Sequence, residues 1–349
     1  MFQDISVQEL LELQQKRELK LIDVRSPGEF GEFTIPGSDN IPLFNDEERS
    51  EIGTLYKQVS IQAAKDRGLE IVSAKLPAFI KQFEQISERK AVYCWRGGMR
   101  SKTTATVLSL MGIRVYRLVG GIRAYRRWVL DELEAFQLHP RFVVINGYTG
   151  SGKTQILRML ADRGYPVIDL EAMAQHRGSI FGQIGLKPHN QKTFESLLIH
   201  ELIRWNDQPY VLVEAESKRV GKVVLPDFLV EAKERGLQIF LDIPVEERVR
   251  NIIEDYQPER NKGQCLKAYE FIKKRIHTPI ALQIEQLMHE NHFEEAVELM
   301  LHHYYDPRYE FATQHYEHEP TVCKAKNAEQ AVESIIHLLQ EQFPPVQTT

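Results

Sequence analysis

The 349-residue chain has only three cysteines, Cys94, Cys265 and Cys323. Three cysteines do not make a disulfide framework, and a reducing cytoplasm fits them. Long apolar runs are missing too. The longest are of strand length, so no segment is expected to span a membrane. Met1-Phe2-Gln3-Asp4 carries no basic region and no apolar signal core. An excess of positive charge is also absent, the formal net charge being −5. Nucleic acid must therefore be bound, if at all, by local basic patches. Internal repeats and low-complexity tracts are not found. What remains is a globular composition, 42% hydrophobic and 27% charged, at a length that suits about two domains, each with its own core.

One stretch organises the chain: Gly147-Tyr148-Thr149-Gly150-Ser151-Gly152-Lys153-Thr154. It follows the apolar run Phe142-Val143-Val144-Ile145 and precedes a helical pattern from Gln155 to Leu160. Strand, glycine-rich loop and helix are the context of a phosphate-binding P-loop. The glycines let backbone N–H groups turn toward an anion, and the helix N-terminus adds free donors and a positive dipole end. Lys153 can reach the outer phosphates, and the Thr154 hydroxyl can hold Mg²⁺.

Residues 1 to 138 read as a first domain. A helical pattern (Val7, Leu10, Leu11, Leu13) precedes a buried strand, Lys20 to Arg25. A second apolar strand, Ala91-Val92-Tyr93-Cys94, runs into Trp95-Arg96-Gly97-Gly98-Met99-Arg100-Ser101 and a helix from Lys102 to Met111. Val115 to Val119 is another strand, ending at Gly120-Gly121, and Arg123 to Leu138 reads as a helix. Alternating strands and helices predict a parallel α/β sheet. Cys94 stands at a strand end, before a glycine loop and a helix N-terminus. Such a helix end, with Arg96 and Arg100 nearby, favours thiolate and marks Cys94 as a nucleophile. The competing reading is a buried inert cysteine, and it is kept for Cys265 and Cys323.

Leu21-Ile22-Asp23-Val24-Arg25, Glu29-Phe30, Ile35-Pro36-Gly37-Ser38, Asn40-Ile41-Pro42, the Cys94 loop and Gly120-Gly121-Ile122 together resemble a rhodanese domain, a family that carries sulfur or selenium on its loop cysteine. Sulfur-carrying members tend to have four residues between that cysteine and the loop arginine. Here five intervene between Cys94 and Arg100, the spacing of cysteine phosphatases. A wider loop can cradle a tetrahedral phosphate with its N–H groups, which argues against simple sulfur transfer from thiosulfate.

Residues 139 to 349 read as a P-loop kinase-like α/β domain. Further strands are predicted at Tyr165 to Asp169, Pro209 to Glu214 and Leu237 to Asp242, with a helical insertion from about 249 to 301. Glu214 ends its strand where such folds place a magnesium-orienting acid; otherwise it is a solvated strand end. Arg177, Glu216, Ser217, Lys218, Arg219 and Arg248 lie in polar clusters at the expected ligand edge of the sheet and are candidate phosphate or nucleic-acid contacts. The alternative for each is a solvated face. His302 and His303 are adjacent and point apart, so no zinc site is expected.

The fusion of these two domains, with Cys94 to Ser101, His176-Arg177-Gly178-Ser179, Glu214-Ala215-Glu216-Ser217 and Tyr305-Asp306-Pro307-Arg308-Tyr309, resembles the tRNA 2-selenouridine synthase family. The resemblance implies two reactions at a wobble 2-thiouridine of tRNA. Sulfur is alkylated from geranyl diphosphate, and the S-geranyl group is then displaced using selenophosphate. It implies a P-loop that holds a prenyl diphosphate, a Cys94 loop that handles selenium, and an enzyme that supplies selenophosphate as a partner. Two rivals stay open: a true ATPase or kinase linked to a sulfur-supplying rhodanese domain, and a catalytically quiet regulatory module.

Overall fold

The computed structural model describes residues 2–16, 18–308 and 320–344. The chain divides into two compact units, one of residues 1–136 with Glu195–Leu197 and one formed by the remaining residues from Gln137 on.

In the first unit the order is β1 (Gln3–Ile5), α1 (Val7–Gln15), β2 (Leu19–Asp23), α2 (Pro27–Glu32), β3 (Ser38–Asn40), α3 (Asp46–Gln58), α4 (Ile61–Glu84), β4 (Arg89–Tyr93), α5 (Met99–Leu110), β5 (Val115–Leu118) and α6 (Gly121–Ala135). The strands form a sheet in the order β1-β5-β4-β2-β3, every pair parallel. The central strands are covered on both faces, so Leu21-Ile22 and Ala91-Val92-Tyr93 are unbroken buried runs and do not alternate. Helix starts follow local chemistry. Ser6 with Glu9 and Asn45 with Glu48 each satisfy two end donors in a capping box. Ile22, Val92, Ala105 and Leu108 pack with Phe79 and Phe83 of α4 in one core cluster.

A polar knot lies at the ligand edge of this core. Arg25, 1% exposed, donates to both oxygens of the fully buried Asp23 (Nη2 to Oδ2, 2.6 Å) and to the Phe33 carbonyl at 2.5 Å. The Tyr93 hydroxyl joins Thr34 Oγ1 (2.7 Å), Ser38 Oγ (2.8 Å) and the Ile35 N–H (3.2 Å). These bonds tie the loop after β2 to the end of β4, one residue before Cys94.

The second unit runs β6 (Arg141–Gly147), α7 (Lys153–Asp162), β7 (Val167–Ile168), α8 (Leu170–Ala174), α9 (Gln191–Trp205), β8 (Tyr210–Glu214), β9 (Arg219–Val220), β10 (Val223–Val224), α10 (Asp227–Glu234), β11 (Leu237–Asp242), α11 (Val245–Tyr256), α12 (Pro258–Lys273), α13 (Thr278–His289), α14 (Phe293–Met300), a π-helical turn (Leu301–Tyr305), β12 (Thr321–Lys324) and α15 (Ala328–Gln342). Its main sheet is again parallel, in the order β12-β11-β6-β8-β7, with β9 and β10 forming a separate antiparallel pair. β6 lies at the centre, where strand order reverses, so the loop after it opens at the crevice that such sheets use for ligands. The segment expected to be helical consists of α11 to α14 and has its own core around Tyr269, Ile272, Ile284 and Leu301. Tyr309 of the Tyr305 to Tyr309 motif falls outside the described residues.

Removing one partner of a buried ion pair leaves the other charge uncompensated. Asp23→Ala is therefore expected to destabilise the first unit by about 3–5 kcal/mol, read as a lower midpoint for its urea transition. A loss below about 1 kcal/mol would mean that water reaches Arg25.

Candidate functional site

The loop after β4 holds the reactive candidates of the first unit. Cys94 is 3% exposed, and its Sγ lies 3.2 Å from the buried Ser101 Oγ in the first turn of α5. Trp95, Arg96, Gly98 and Met99 are exposed, and Gly97 is buried. Among the described residues, the N–H groups of Trp95, Arg96, Gly97 and Gly98 have no acceptor. Their carbonyl side is held instead. Ile122 N–H donates to Cys94 O (2.9 Å), Arg123 N–H to Trp95 O (3.2 Å) and Arg117 Nη1 to Gly97 O (2.6 Å). A Cβ on Gly121 would stand 2.2 Å from Cys94 O and 2.5 Å from Gly97 N, at φ +58. Only glycine permits this approach. The result is a row of free donors beside a thiol at a helix N-terminus, an anion cradle.

Arg100, the second residue of α5, carries a guanidinium fork beside the loop. The fork is already engaged: Nη1 and Nη2 donate to Glu29 Oε2 (2.5 Å) and Oε1 (3.1 Å). Burial works against the charge of Arg100, but the bonds to Glu29 outweigh it and hold the guanidinium firmly protonated. Burial likewise disfavours the Glu29 carboxylate, and Arg100 outweighs it, so that carboxyl titrates below its usual range.

In the second unit the P-loop links β6 to α7. Gly150 and Gly152 have φ +81 and +75, and a Cβ on Gly150 would stand 2.7 Å from Arg248 O. The N–H groups of Thr149, Gly150 and Gly152 have no acceptor among the described residues. Lys153 Nζ rests on the loop's own carbonyls, Gly147 O at 2.9 Å and Tyr148 O at 3.3 Å. Arg248, expected to contact phosphate, is instead 2% exposed and built into the loop. It donates to Thr149 O (2.9 Å), forks onto Asp306 (3.0 and 2.5 Å) and lies over the Tyr148 ring. Asn251 holds Gly150 O at 2.9 Å.

A cleft of about 1110 Å³ opens over this loop. Ser151, Lys153, Thr154, Arg177, Glu216, Ser217 and Lys218 all line it. Arg177 is braced by Ile184 O (2.9 Å) and by the Tyr256 ring. Ser217 turns back to Arg219 O (2.8 Å), Lys218 pairs with Asp227 at 2.5 Å, and Arg219 is exposed on β9. Glu214 is fully buried behind the cleft. One oxygen accepts from Leu170 N–H (2.9 Å), and the other has no partner among the described residues.

Two cleft residues were not singled out from sequence. Glu171 accepts from the Thr154 hydroxyl at 2.7 Å, and Lys233 Nζ donates to Glu216 O. Glu171 follows the short strand β7, and its place at a parallel strand end was the available signal. Burial, then the Glu216 carboxylate, pushes the Glu171 carboxyl up to about 8. Burial, then Asp169 and Glu171, pushes Glu214 well above its usual range. Burial pushes the Lys233 ammonium down to about 8.

Glu171 binds its proton more tightly in the folded chain than in the unfolded one. Its contribution to stability is complete below about 4.5 and is lost as pH rises through about 8. With no ligand added, Glu171→Gln should flatten the decline in stability of the second unit across that window. Urea midpoints measured from pH 5 to 9 test this, and parallel curves for the two proteins would refute it.

Two family models match the chain: the rhodanese-like domain over residues 6–127 and the tRNA 2-selenouridine synthase AAA domain over residues 140–342. The tRNA 2-selenouridine synthase of Bdellovibrio bacteriovorus is 37% identical over 262 residues, covering 72% of this chain and 68% of that one. That of Nitrosomonas europaea is 38% identical over 272 residues, covering 76% and 69%. That of Hydrogenovibrio crunogenus is 32% identical over 331 residues, covering 85% and 90%. With both domains matched in order, and with relatives that span most of its length, the chain belongs to the tRNA 2-selenouridine synthase family of tRNA-modifying enzymes.

Proposed function

We propose that the chain exchanges sulfur for selenium at a tRNA 2-thiouridine in two steps, one on each loop. One observation carries this reading: two rows of acceptor-free backbone N–H groups, each at a helix N-terminus, of which only the Cys94 row has a thiol beside it. One anion site is thus suited to a leaving group and the other to a chalcogen donor.

A thiocarbonyl sulfur leaves poorly, whereas an alkylated sulfur leaves as a thiol. In the first step the thiouridine sulfur attacks the first carbon of geranyl diphosphate. An S–C bond forms, the C–O bond breaks, and pyrophosphate departs with the electron pair while the base gives up its ring N–H proton. Free N–H groups at Thr149, Gly150 and Gly152, together with Lys153, would hold that pyrophosphate. Mg²⁺ would be held on this side by the Thr154 hydroxyl and Glu171, hard oxygen donors 2.7 Å apart. Bound there, Mg²⁺ would offset diphosphate charge.

In the second step selenophosphate would lie with its phosphate on the Trp95 to Gly98 N–H groups and its selenium against Cys94. Selenium attacks the ring carbon, the C–S bond breaks, and geranylthiol leaves with a proton. Water then splits Se–P to release phosphate. Selenium in selenophosphate is already at the selenide level, so this route needs no oxidant. A perselenide on Cys94 would need one, and Cys94 is accordingly given a positioning role. Arg100 acts from behind through Glu29, shaping the start of α5.

tRNA would bind through exposed basic residues. Arg114, Arg123, Arg127, Lys267, Lys274 and Arg275 are exposed. Arg117 is committed to Asp4 and Gly97 O, Arg126 to Glu195 and Lys273 to Glu285.

Mass spectrometry of nucleosides from tRNA incubated with the protein, geranyl diphosphate and selenophosphate tests the reading. Lys153→Ala should abolish geranyl transfer. Cys94→Ser should leave geranylation largely intact and stop selenium incorporation. Equal loss of both steps in a folded Cys94→Ser protein would overturn the assignment of one step to each loop. Inorganic phosphate should compete with selenophosphate in the selenium step alone, and indifference to a large excess would remove the phosphate-cradle reading. tRNA affinity should fall steeply with salt, each true contact removed lowering the log–log slope by about one. Salt-independent binding would exclude the patch model.

A further inference from the structure

A second cavity adjoins the P-loop cleft, and its lining differs in kind. Thr149, Ser179, Ile252, Tyr256 and Tyr305 are common to both. Beyond them the walls are Phe181, Met288, Phe293, Val297, Met300 and Leu301, from the helical core of α11 to α14 and the π-helical turn. The polar groups at its mouth satisfy each other, Ser179 Oγ and Tyr256 Oη lying 3.0 Å apart. The Thr149 and Tyr305 hydroxyls also stand at this shared mouth, and Cys265 lies in the lining beyond it, its thiol pushed up to about 11 by burial, so it stays neutral.

We infer that this cavity seats the hydrocarbon tail of the diphosphate ester held on the P-loop, and that its walls set the chain length accepted. The inference rests on the proposed geranyl transfer and adds the location and gauge of the tail. A nucleoside in the same place would bury ribose hydroxyls and base edges with no partners, which costs binding. An isoprenoid needs no partners. A donor cradle opening directly into an apolar, uncharged cavity matches a ligand with one doubly anionic end and one hydrocarbon end. The cavity is about 50 Å³, smaller than a ten-carbon chain. Met288 and Met300 are the walls that can yield, since methionine is unbranched and repacks at low cost. Phe293 and Val297, from the first turns of α14, are stiffer and would act as the stop.

The test is equilibrium binding of pyrophosphate, dimethylallyl, geranyl and farnesyl diphosphates, and ATP, to the full-length protein without tRNA. Wild type should bind geranyl diphosphate on the order of 10–100-fold tighter than pyrophosphate, from the burial of apolar carbon. Val297→Phe should erase that gain and leave pyrophosphate affinity unchanged, which also shows that the variant is folded. Phe293→Ala should move the preference toward farnesyl diphosphate. The inference is overturned if wild type geranylates tRNA yet binds geranyl diphosphate no tighter than pyrophosphate. It is equally overturned if Val297→Phe weakens both alike, or if ATP binds tightest and ignores the substitution. Failure of wild type to geranylate tRNA would instead count against the function proposed above.

Discussion

A backbone N–H at the start of a helix has no carbonyl to bond within that helix, and both candidate sites are made from this shortage. After β4 and after β6 the chain turns from a buried parallel strand into a helix, and the turn leaves most of its donors without an acceptor among the described residues, Ser151 N–H, bonded to Tyr148 O, being an exception. The fold keeps them so by holding the opposite side of each peptide. Arg117 grips Gly97 O, in the peptide of the Gly98 N–H, and Arg248 grips Thr149 O, in the peptide of the Gly150 N–H. With the carbonyls fixed from behind, the N–H groups have nowhere to turn but the open side. Glycine is needed where backbones meet, as Gly121 meets Cys94 and Gly97. Arg117 and Arg248 thus act on loop shape, and oriented peptides supply part of the positive field offered to a ligand.

This arrangement carries an electrostatic cost on the P-loop side. Glu171, Glu214 and Glu216 crowd behind Lys153 and Thr154, and burial plus mutual repulsion favours protonation of the first two. An anionic ligand arriving at such a wall is opposed unless protons or a cation accompany it. The Cys94 side has no such wall. Its carboxylates, Asp23 and Glu29, are each forked by an arginine before any ligand arrives. Two cradles built on the same donor principle therefore present different fields to their ligands.

Much of this was legible in the chain. Strands buried on both faces read as near-continuous apolar runs, so β4, β6 and β8 stand out, and glycine loops after the first two mark the cradles. What escaped is set by tertiary contact. β1 and β12 are short edge strands with no period of their own, defined only by pairing with β5 and β11. The forks of Arg100 and Arg248 close onto partners 71 and 58 residues away. Sequence placed each arginine near an anion site but could not say that a carboxylate was already there. Glu171 had only its place after β7 to mark it, since its meaning comes from Thr154 and Glu216 across the cleft.

The placement of the cysteines follows from the chemistry proposed. An allylic diphosphate is an electrophile, and a thiolate within reach would be alkylated in place of the tRNA sulfur. No cysteine lines the P-loop cleft among the described residues. The one cysteine on the apolar side, Cys265, has its thiol pushed up to about 11 by burial and remains a thiol, a far weaker nucleophile than thiolate. A core that buries Cys265 between α12 and its neighbours thus keeps it quiet by the same desolvation that makes the cavity fit for a hydrocarbon. On the proposed reading, stability of the helical core and selectivity for the intended nucleophile would rest on one property, the apolar packing around that cavity.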